Sequence, residues 1–223
     1  MSTILRAGAR ALAAALASLV APSRCAACDE PARWATAFCP ACASTLVRAR
    51  NPDDHRLAAF VYGAAIAEAL RRFKFDDRPD LAPALLAGLV RHSSVRVRDA
   101  RPDLVVPVPL HPSRLVERGY NQSALLARPL ARALGIPWAA RALARVVATE
   151  RQTELARTAR ASNVERAFVA TRGASLSGRR VLLVDDVETT GATLDACRRA
   201  VMAGGASDVL SVVVARAEAA SGP

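Results

Sequence analysis

The chain of 223 residues is 52% hydrophobic and 23% charged, so it can bury a core and is not predominantly disordered. No uninterrupted apolar run approaches the roughly 20 residues of a transmembrane helix, which excludes a polytopic membrane protein. The formal net charge is +11, and the 31 basic residues include a single lysine, Lys74.

The first predicted element is an amino-terminal helix over residues 1–21. Apolar residues recur there at spacings of three and four, among them Leu12, Leu16 and Leu19, as in an amphipathic helix. Arg6 and Arg10 before the apolar stretch are also typical of the charged region of a secretory signal. We expect the helix to dock on the body of the protein. A cleaved signal and a membrane-surface helix are the alternatives.

Two cysteine pairs come next, Cys25 with Cys28 and Cys39 with Cys42. Two residues lie within each pair and ten residues lie between the pairs. The short gap lets both thiolates of a tight turn face one ion, and four thiolates satisfy tetrahedral Zn²⁺ at about 2.3 Å. Two disulfides are the alternative, and they require an oxidising compartment. The spacing therefore predicts a structural zinc ribbon, in which no coordination position is left open for catalysis.

The turn-rich segment Asn51–Asp54 predicts a linker after the ribbon. The predicted division is 1–54, the amino-terminal helix and zinc ribbon, and 55–223, a larger domain.

Buried strands alternate with helices in the larger domain. Strands are predicted at Leu57–Tyr62, Leu104–Pro109, Val181–Val184 and Val209–Val214, and helices at Ala64–Phe73, Leu81–His92, Ser123–Leu134 and Ala192–Met202. Continuous Val and Leu runs separated by helices indicate an α/β fold whose parallel sheet is covered on both faces. Cys197, inside the last helix, is expected to be a buried and inert thiol.

Acidic residues and threonines are concentrated directly after the predicted strand Val181–Val184. The segment comprises Asp185, Asp186, Val187, Glu188, Thr189, Thr190, Gly191, Ala192 and Thr193. Ligands of open α/β sheets bind at the carboxyl ends of strands, and a loop that opens a helix offers free N–H groups to a phosphate. The threonine hydroxyls and Gly191 suit that phosphate. Asp185 and Asp186, expected at a solvent-facing strand end, suit sugar hydroxyls or Mg²⁺ held through water.

The segment therefore predicts a site for a ribose 5-phosphate group. Simple helix capping is the alternative, but it needs only one such residue.

This segment resembles the phosphoribosyl pyrophosphate (PRPP) motif of type I phosphoribosyltransferases. The resemblance implies a type I phosphoribosyltransferase-like sheet flanked by helices, PRPP binding by residues 185–193 with Mg²⁺, and catalytic roles for Asp185 and Asp186. Glu188 stands where many members have an apolar or small residue. Because a negative charge near a bound phosphate is unfavourable, we expect the Glu188 side chain to point outward.

Further segments, together with the cysteine pairs, resemble the ComF family, whose better-studied members are needed for DNA uptake in competent bacteria. In chain order they are Val106–His111, Arg114–Gln122, Arg151–Thr153 and Ala161–Val164. Tyr120 replaces the phenylalanine that is common before Asn-Gln in this family. The resemblance implies that the loop Pro109–Gln122 binds pyrophosphate through Arg114 and Arg118. It also implies that Thr149–Arg160 forms a mobile hood over the ligand.

The basic excess has two explanations. Arginine binds phosphate oxygens two at a time, which suits nucleic acid or a phosphorylated metabolite. A coding bias toward arginine and alanine accounts for the same composition without any function. Residues 111–166 carry ten Arg and four Glu, so the positive charge is concentrated in that quarter of the chain.

Two functions follow from the resemblance. In the first, the protein is an enzyme that transfers ribose 5-phosphate from PRPP to an acceptor, with Mg²⁺ and arginines stabilising the departing pyrophosphate. In the second, it is a non-catalytic module of the DNA-uptake machinery that binds single-stranded DNA and docks a partner such as a helicase. With only 4% aromatic residues, the chain has few side chains on which bases can stack. We expect a cytoplasmic protein with no stable membrane span.

Overall fold

The computed structural model describes residues 24–33, 36–147 and 167–218. The predicted amino-terminal helix over residues 1–21 and the predicted hood Thr149–Arg160 lie outside these ranges. Within the three ranges, no helix is both long enough and apolar enough to cross a membrane.

The central sheet is parallel and has four strands, in the spatial order β1-β6-β5-β2. Its strands are β1 (Arg56–Val61), β2 (Leu104–Pro107), β5 (Arg180–Glu188) and β6 (Asp208–Arg216). Two short strands, β3 (Leu143–Arg145) and β4 (Phe168–Ala170), form a separate antiparallel pair. The helices are α1 (Pro40–Ala43), α2 (Ala64–Phe75), α3 (Ala82–Asp99), α4 (Pro112–Arg118), α5 (Gln122–Leu134) and α6 (Ala192–Ala203).

Helices and the β3–β4 pair cover both faces of the sheet. Leu182 and Val184 of β5 belong to a core cluster with α2, α3 and α5. Val181 and Leu183 belong to a second cluster with α6, β3 and β4. Because neither face of β5 meets water, the strand needs a continuous apolar run rather than alternation, which is the pattern that predicted it. The predicted α/β class is confirmed.

β5 is longer than its apolar run predicts. The predicted strand ended at Val184, whereas the observed strand continues to Glu188 and pairs with β6 as far as Glu188 opposite Arg216. The β6 partner is apolar and buried along most of its length, so it offers backbone partners to the acidic residues as well. Asp185, Asp186, Val187 and Glu188 therefore belong to the strand and not to a loop.

One helix prediction and one loop prediction also need correction. The helix predicted to end at His92 continues to Asp99, because the buried stripe of Leu85 and Leu89 goes on through Ser93 and Val97. The loop predicted over Pro109–Gln122 contains α4, which begins after His111 and ends at Gly119 in the left-handed conformation, with φ of 78°.

The predicted boundary at Asn51–Asp54 stays a prediction. Arg96 of α3 holds this segment by donating to the carbonyl oxygens of Asn51, at 2.7 Å, and Asp53, at 3.1 Å.

Candidate ligand-binding site and metal centre

Asp185 and Asp186 are buried near the carboxyl end of β5, with exposed fractions of 8% and 3%. The Ser123 hydroxyl donates to Asp185 Oδ1 at 2.7 Å, and the backbone N–H of Asp186 donates to the same oxygen at 2.9 Å. The amide of Gln122 donates to Asp186 Oδ2 over 3.4 Å. The expected solvent-facing strand end is wrong, because the first turn of α5 lies against both carboxylates.

Lys74, near the end of α2, is one residue of this site that the motif analysis missed. Its Nζ lies 2.9 Å from Asp186 Oδ2, and the lysine side chain is itself largely covered. The available signal was compositional, because Lys74 is the single lysine in a chain that otherwise uses arginine. An ammonium group at this distance offsets the cost of burying the Asp186 charge.

Asp185 resists ionisation. Burial and, to a smaller extent, the neighbouring charge of Asp186 raise its pKa to about 7, against the opposing effect of the Ser123 hydrogen bond. Near neutral pH, therefore, Asp185 is partly protonated.

The loop between β5 and α6 has the geometry of an anion site. Thr189 and Thr190 are exposed, while Val187, Ala192 and Thr193 are half-buried. Gly191 has a φ of 79° and precedes α6, and the Thr190 hydroxyl accepts a hydrogen bond from the backbone N–H of Ala192 at 3.4 Å. The start of the helix presents its remaining free N–H groups and the positive end of its dipole beside two hydroxyls.

Glu188 points into the protein, which contradicts the expected outward orientation. Its exposed fraction is 6%, and it accepts hydrogen bonds from Arg56 Nη1 at 3.1 Å and Arg216 Nε at 2.6 Å. Arg56 also pairs with Asp195 in the first turn of α6. The φ of Gly191 favours glycine, and a Cβ there would displace the Arg56 guanidinium from its position beside Glu188.

Arg114 and Arg118 lie on α4, on the same side of the molecule as the acidic pair. The Arg118 guanidinium lies 5.1 Å from the centre of the Phe75 ring, and burial lowers the pKa of Arg118 while the charge of Asp186 raises it. Arg118 and Lys74 line a cavity of about 530 Å³ between α2 and α4.

Arg145 is a third arginine at this site, and the sequence analysis did not single it out. Burial lowers the pKa of Arg145, the nearby charge of Arg114 lowers it further, and that of Asp185 raises it.

The four cysteines form a cluster that fits a tetrahedral metal. The Sγ atoms of Cys25, Cys28, Cys39 and Cys42 all lie within 4.8 Å of one another, without a disulfide. Cys28 Sγ and Cys39 Sγ are 3.7 Å apart, close to the edge of about 3.8 Å expected for a tetrahedron with 2.3 Å Zn–S bonds. Across the described ranges, this is the one group of three or more metal-binding side chains that could hold an ion.

Arg72 of α2 attaches this cluster to the larger domain. Its buried Nη1 donates to the carbonyl oxygens of Cys25, Ala26 and Ala27, at 3.2 to 3.3 Å. Its Nη2 lies 2.8 Å from the carboxylate of Asp29. Asp29 itself has a φ of 64°, in the left-handed region that Asp tolerates better than most residues.

Comparison with known proteins agrees with this fold. A phosphoribosyl transferase domain matches residues 121–223. DNA utilization protein YhgH of Escherichia coli K12 is 31% identical over 198 residues, which cover 83% of this chain and 86% of that protein. Competence protein F of Haemophilus influenzae is 38% identical over 130 residues, 56% of this chain and 57% of that protein. Competence protein ComFC of Bacillus subtilis is 31% identical over 160 residues, 71% of this chain and 63% of that protein.

The parallel sheet, the four-cysteine cluster and these relatives lead to one assignment. The chain belongs to the ComF family, with a type I phosphoribosyltransferase fold and an amino-terminal four-cysteine cluster.

Proposed function

We propose that the protein binds PRPP at the carboxyl end of β5. The observation that carries the proposal is the succession of a buried acidic pair, exposed threonines and a glycine-led helix start within residues 185–193. In this proposal Thr189 and Thr190, together with the first turn of α6, bind the 5-phosphate. Asp185 and Asp186 accept hydrogen bonds from the ribose hydroxyls, each through a carboxylate already oriented by the first turn of α5.

Arg114 and Arg118 are proposed to bind the pyrophosphate group. Burial lowers the pKa of Arg118, the charge of Asp186 raises it and the charge of Arg114 lowers it, so both charged groups are close to the Arg118 guanidinium. An anion that bridged the two arginines would therefore lie near the acidic pair. Mg²⁺, when bound with PRPP, would neutralise the pyrophosphate. If the ligand also reacts, the same arginines would stabilise the charge that develops on the departing pyrophosphate.

The four-cysteine cluster is proposed to hold a structural Zn²⁺. Free thiols at tetrahedral spacing suit a reducing compartment such as the cytoplasm. The names of the relatives connect such proteins with competence and DNA utilization. We extend this connection to the present chain as a proposal.

Calorimetric titration of PRPP, with and without Mg²⁺, tests the proposed function. We expect the wild-type protein to bind Mg²⁺·PRPP and the double variant Thr189→Val, Thr190→Val to bind at least tenfold more weakly. Both replacements keep the β-branched shape but remove the hydroxyl donors. The control is Ser207→Ala, which removes a surface hydrogen bond to Gly178. No PRPP binding by the wild-type protein would refute the proposal.

Pyrophosphate release across a panel of acceptors then decides between transfer and binding alone. The alternative function, single-stranded DNA binding without catalysis, has its own signature. DNA affinity would fall steeply with salt, because each phosphate contact releases counterions.

A further inference from the structure

Gln122 carries a buried oxygen that lacks a hydrogen-bond donor. The residue is the first of α5 and has an exposed fraction of 4%. Its Nε2 donates to Asp186, but no group in the described ranges donates to its Oε1. Because buried side-chain oxygens are nearly always hydrogen-bonded in folded proteins, an unpaired one beside a candidate site points to a ligand.

The orientation of the Gln122 amide follows from its neighbours. Exchanging its oxygen and nitrogen would set an amide oxygen against the Asp186 carboxylate, two acceptors with no proton between them. Asp186 Oδ2 also accepts a hydrogen bond from Lys74 Nζ at 2.9 Å, so this oxygen already acts as an acceptor. The amide nitrogen therefore faces Asp186, and Oε1 is the atom that lacks a hydrogen-bond donor.

A hydroxyl group can supply the missing donor. Gln122 Nε2 and Lys74 Nζ both contact Asp186 Oδ2, so Gln122 lies beside the carboxylates at which the proposed function places the ribose hydroxyls. A hydroxyl donates to an amide oxygen without bringing a further charge into this buried cluster. The ligand chemistry that we assign to Gln122 Oε1 is therefore an alcohol.

We propose that Gln122 Oε1 accepts a hydrogen bond from a ribose hydroxyl of the ligand held at Asp185 and Asp186. This inference rests on the proposed function and adds a residue that selects ribose phosphates over their deoxy counterparts. The selection arises because a deoxy ligand leaves the buried oxygen unpaired, and a site built to bind a hydroxyl rejects the analogue that lacks it.

The first experiment compares two ligands on Gln122→Met, which keeps the length of the side chain but removes both the acceptor oxygen and the amide nitrogen that donates to Asp186. Calorimetry is carried out with PRPP and with inorganic pyrophosphate, each with Mg²⁺. We expect about a tenfold loss of PRPP affinity and no change for pyrophosphate, which has no hydroxyl group. An equal loss for both ligands, or no loss for PRPP, would overturn the inference.

A second experiment uses the wild-type protein and does not depend on the variant folding. Ribose 5-phosphate, 2-deoxyribose 5-phosphate and 3-deoxyribose 5-phosphate compete against PRPP, and one of the deoxy sugars should compete about tenfold more weakly. In Gln122→Met, the preference for ribose 5-phosphate over the deoxy sugars should be smaller. In the wild-type protein, the same preference should persist when EDTA removes divalent metal ions. Equal competition by all three sugars contradicts the inference, and so does a preference that requires Mg²⁺.

The two proposals fail differently. If the wild-type protein does not bind PRPP, the proposed function fails and this inference fails with it. If PRPP binds normally but Gln122→Met behaves as wild type, only the role of Gln122 is refuted.

Discussion

Asp185 is a carboxylic acid that the fold buries beside a second carboxylate. Its folded-state pKa, raised to about 7 by burial and by Asp186, lies above the value of about 3.9 in an unfolded chain. Between these two pH values the folded protein therefore binds the proton more tightly than the unfolded chain. It follows that this residue favours folding at acidic pH, that stability falls as pH rises from about 4 to 7, and that the loss levels off above that range.

Asp185→Asn should remove this pH dependence, because the amide does not ionise. Between pH 5 and pH 7.5 the wild-type protein should lose about 1 to 3 kcal/mol more unfolding free energy than the variant. Urea denaturation in metal-free buffer measures the difference. Other carboxyls such as Asp29 and Asp103 have lowered pKa values and lose their stabilising effect below this window. Parallel profiles for the two proteins would contradict the assignment.

Substitution of Arg114 and Arg118 tests whether these basic residues bind pyrophosphate or nucleic acid. If they bind pyrophosphate, replacing both with Ala should weaken PRPP at least tenfold more than ribose 5-phosphate, because charge-assisted hydrogen bonds contribute roughly 1.5 to 3 kcal/mol each. If they bind nucleic acid, single-stranded DNA affinity and its salt dependence should fall instead. Calorimetry with the sugar ligands and salt titration with DNA decide between the two. No change in any ligand would make these arginines ordinary surface residues.

Among the secondary-structure elements, Arg56 connects two strands of the sheet and one helix. It belongs to β1, yet its side chain contacts Glu188 at the end of β5 and Asp195 in α6. The loop between β5 and α6 is thus fixed at both ends by one guanidinium. This explains how an acidic residue is tolerated beside the proposed phosphate loop, because Arg56 and Arg216 neutralise Glu188 from inside the protein.

Arg56→Gln should destabilise the fold by roughly 1 to 3 kcal/mol, because it leaves the buried Glu188 with one cationic partner fewer. The matched control is Arg180→Gln at the opposite end of β5, where Arg180 pairs with Asp103 in an exposed salt bridge. Removing an exposed pair should cost less than about 1 kcal/mol. Urea unfolding of both variants gives the comparison. A control that loses as much stability as Arg56→Gln would argue against a special role for the buried network.

Across the whole molecule, the sequence predicted most of the secondary-structure elements but not the contacts between them. Apolar runs such as Val181–Val184 predicted buried strands, because hydrophobic periodicity is a local property of the chain. The continuation of β5 through Glu188 depends on β6 and on Arg56, 132 residues away in the chain. Lys74 likewise meets Asp186 only through the packing of α2, so no local motif could indicate that pair.

Helix α2 connects the cysteine cluster with the acidic pair. Arg72 donates to the backbone of the cluster, while Lys74, two residues later, pairs with Asp186. Tyr120, two residues before the proposed sugar-binding residue Gln122, donates to the carbonyl oxygen of Phe73, which lies between Arg72 and Lys74. The proposed zinc ion, by ordering the cysteine cluster, would therefore also support the end of α2 that carries the lysine.

The last prediction concerns that ion. Cys25→Ser should lose bound zinc, because a tetrahedral site without one thiolate binds far more weakly, and the loss should destabilise the amino-terminal segment that Arg72 holds. Cys197→Ala is the matched control, since Cys197 is a buried thiol of α6 outside the cluster. It should keep its zinc and lose only packing energy, about 1 kcal/mol. Metal analysis and thermal unfolding of protein purified without chelator give the answer. Full zinc occupancy in Cys25→Ser, or none in the parent protein, would show that the four cysteines do not form a zinc site.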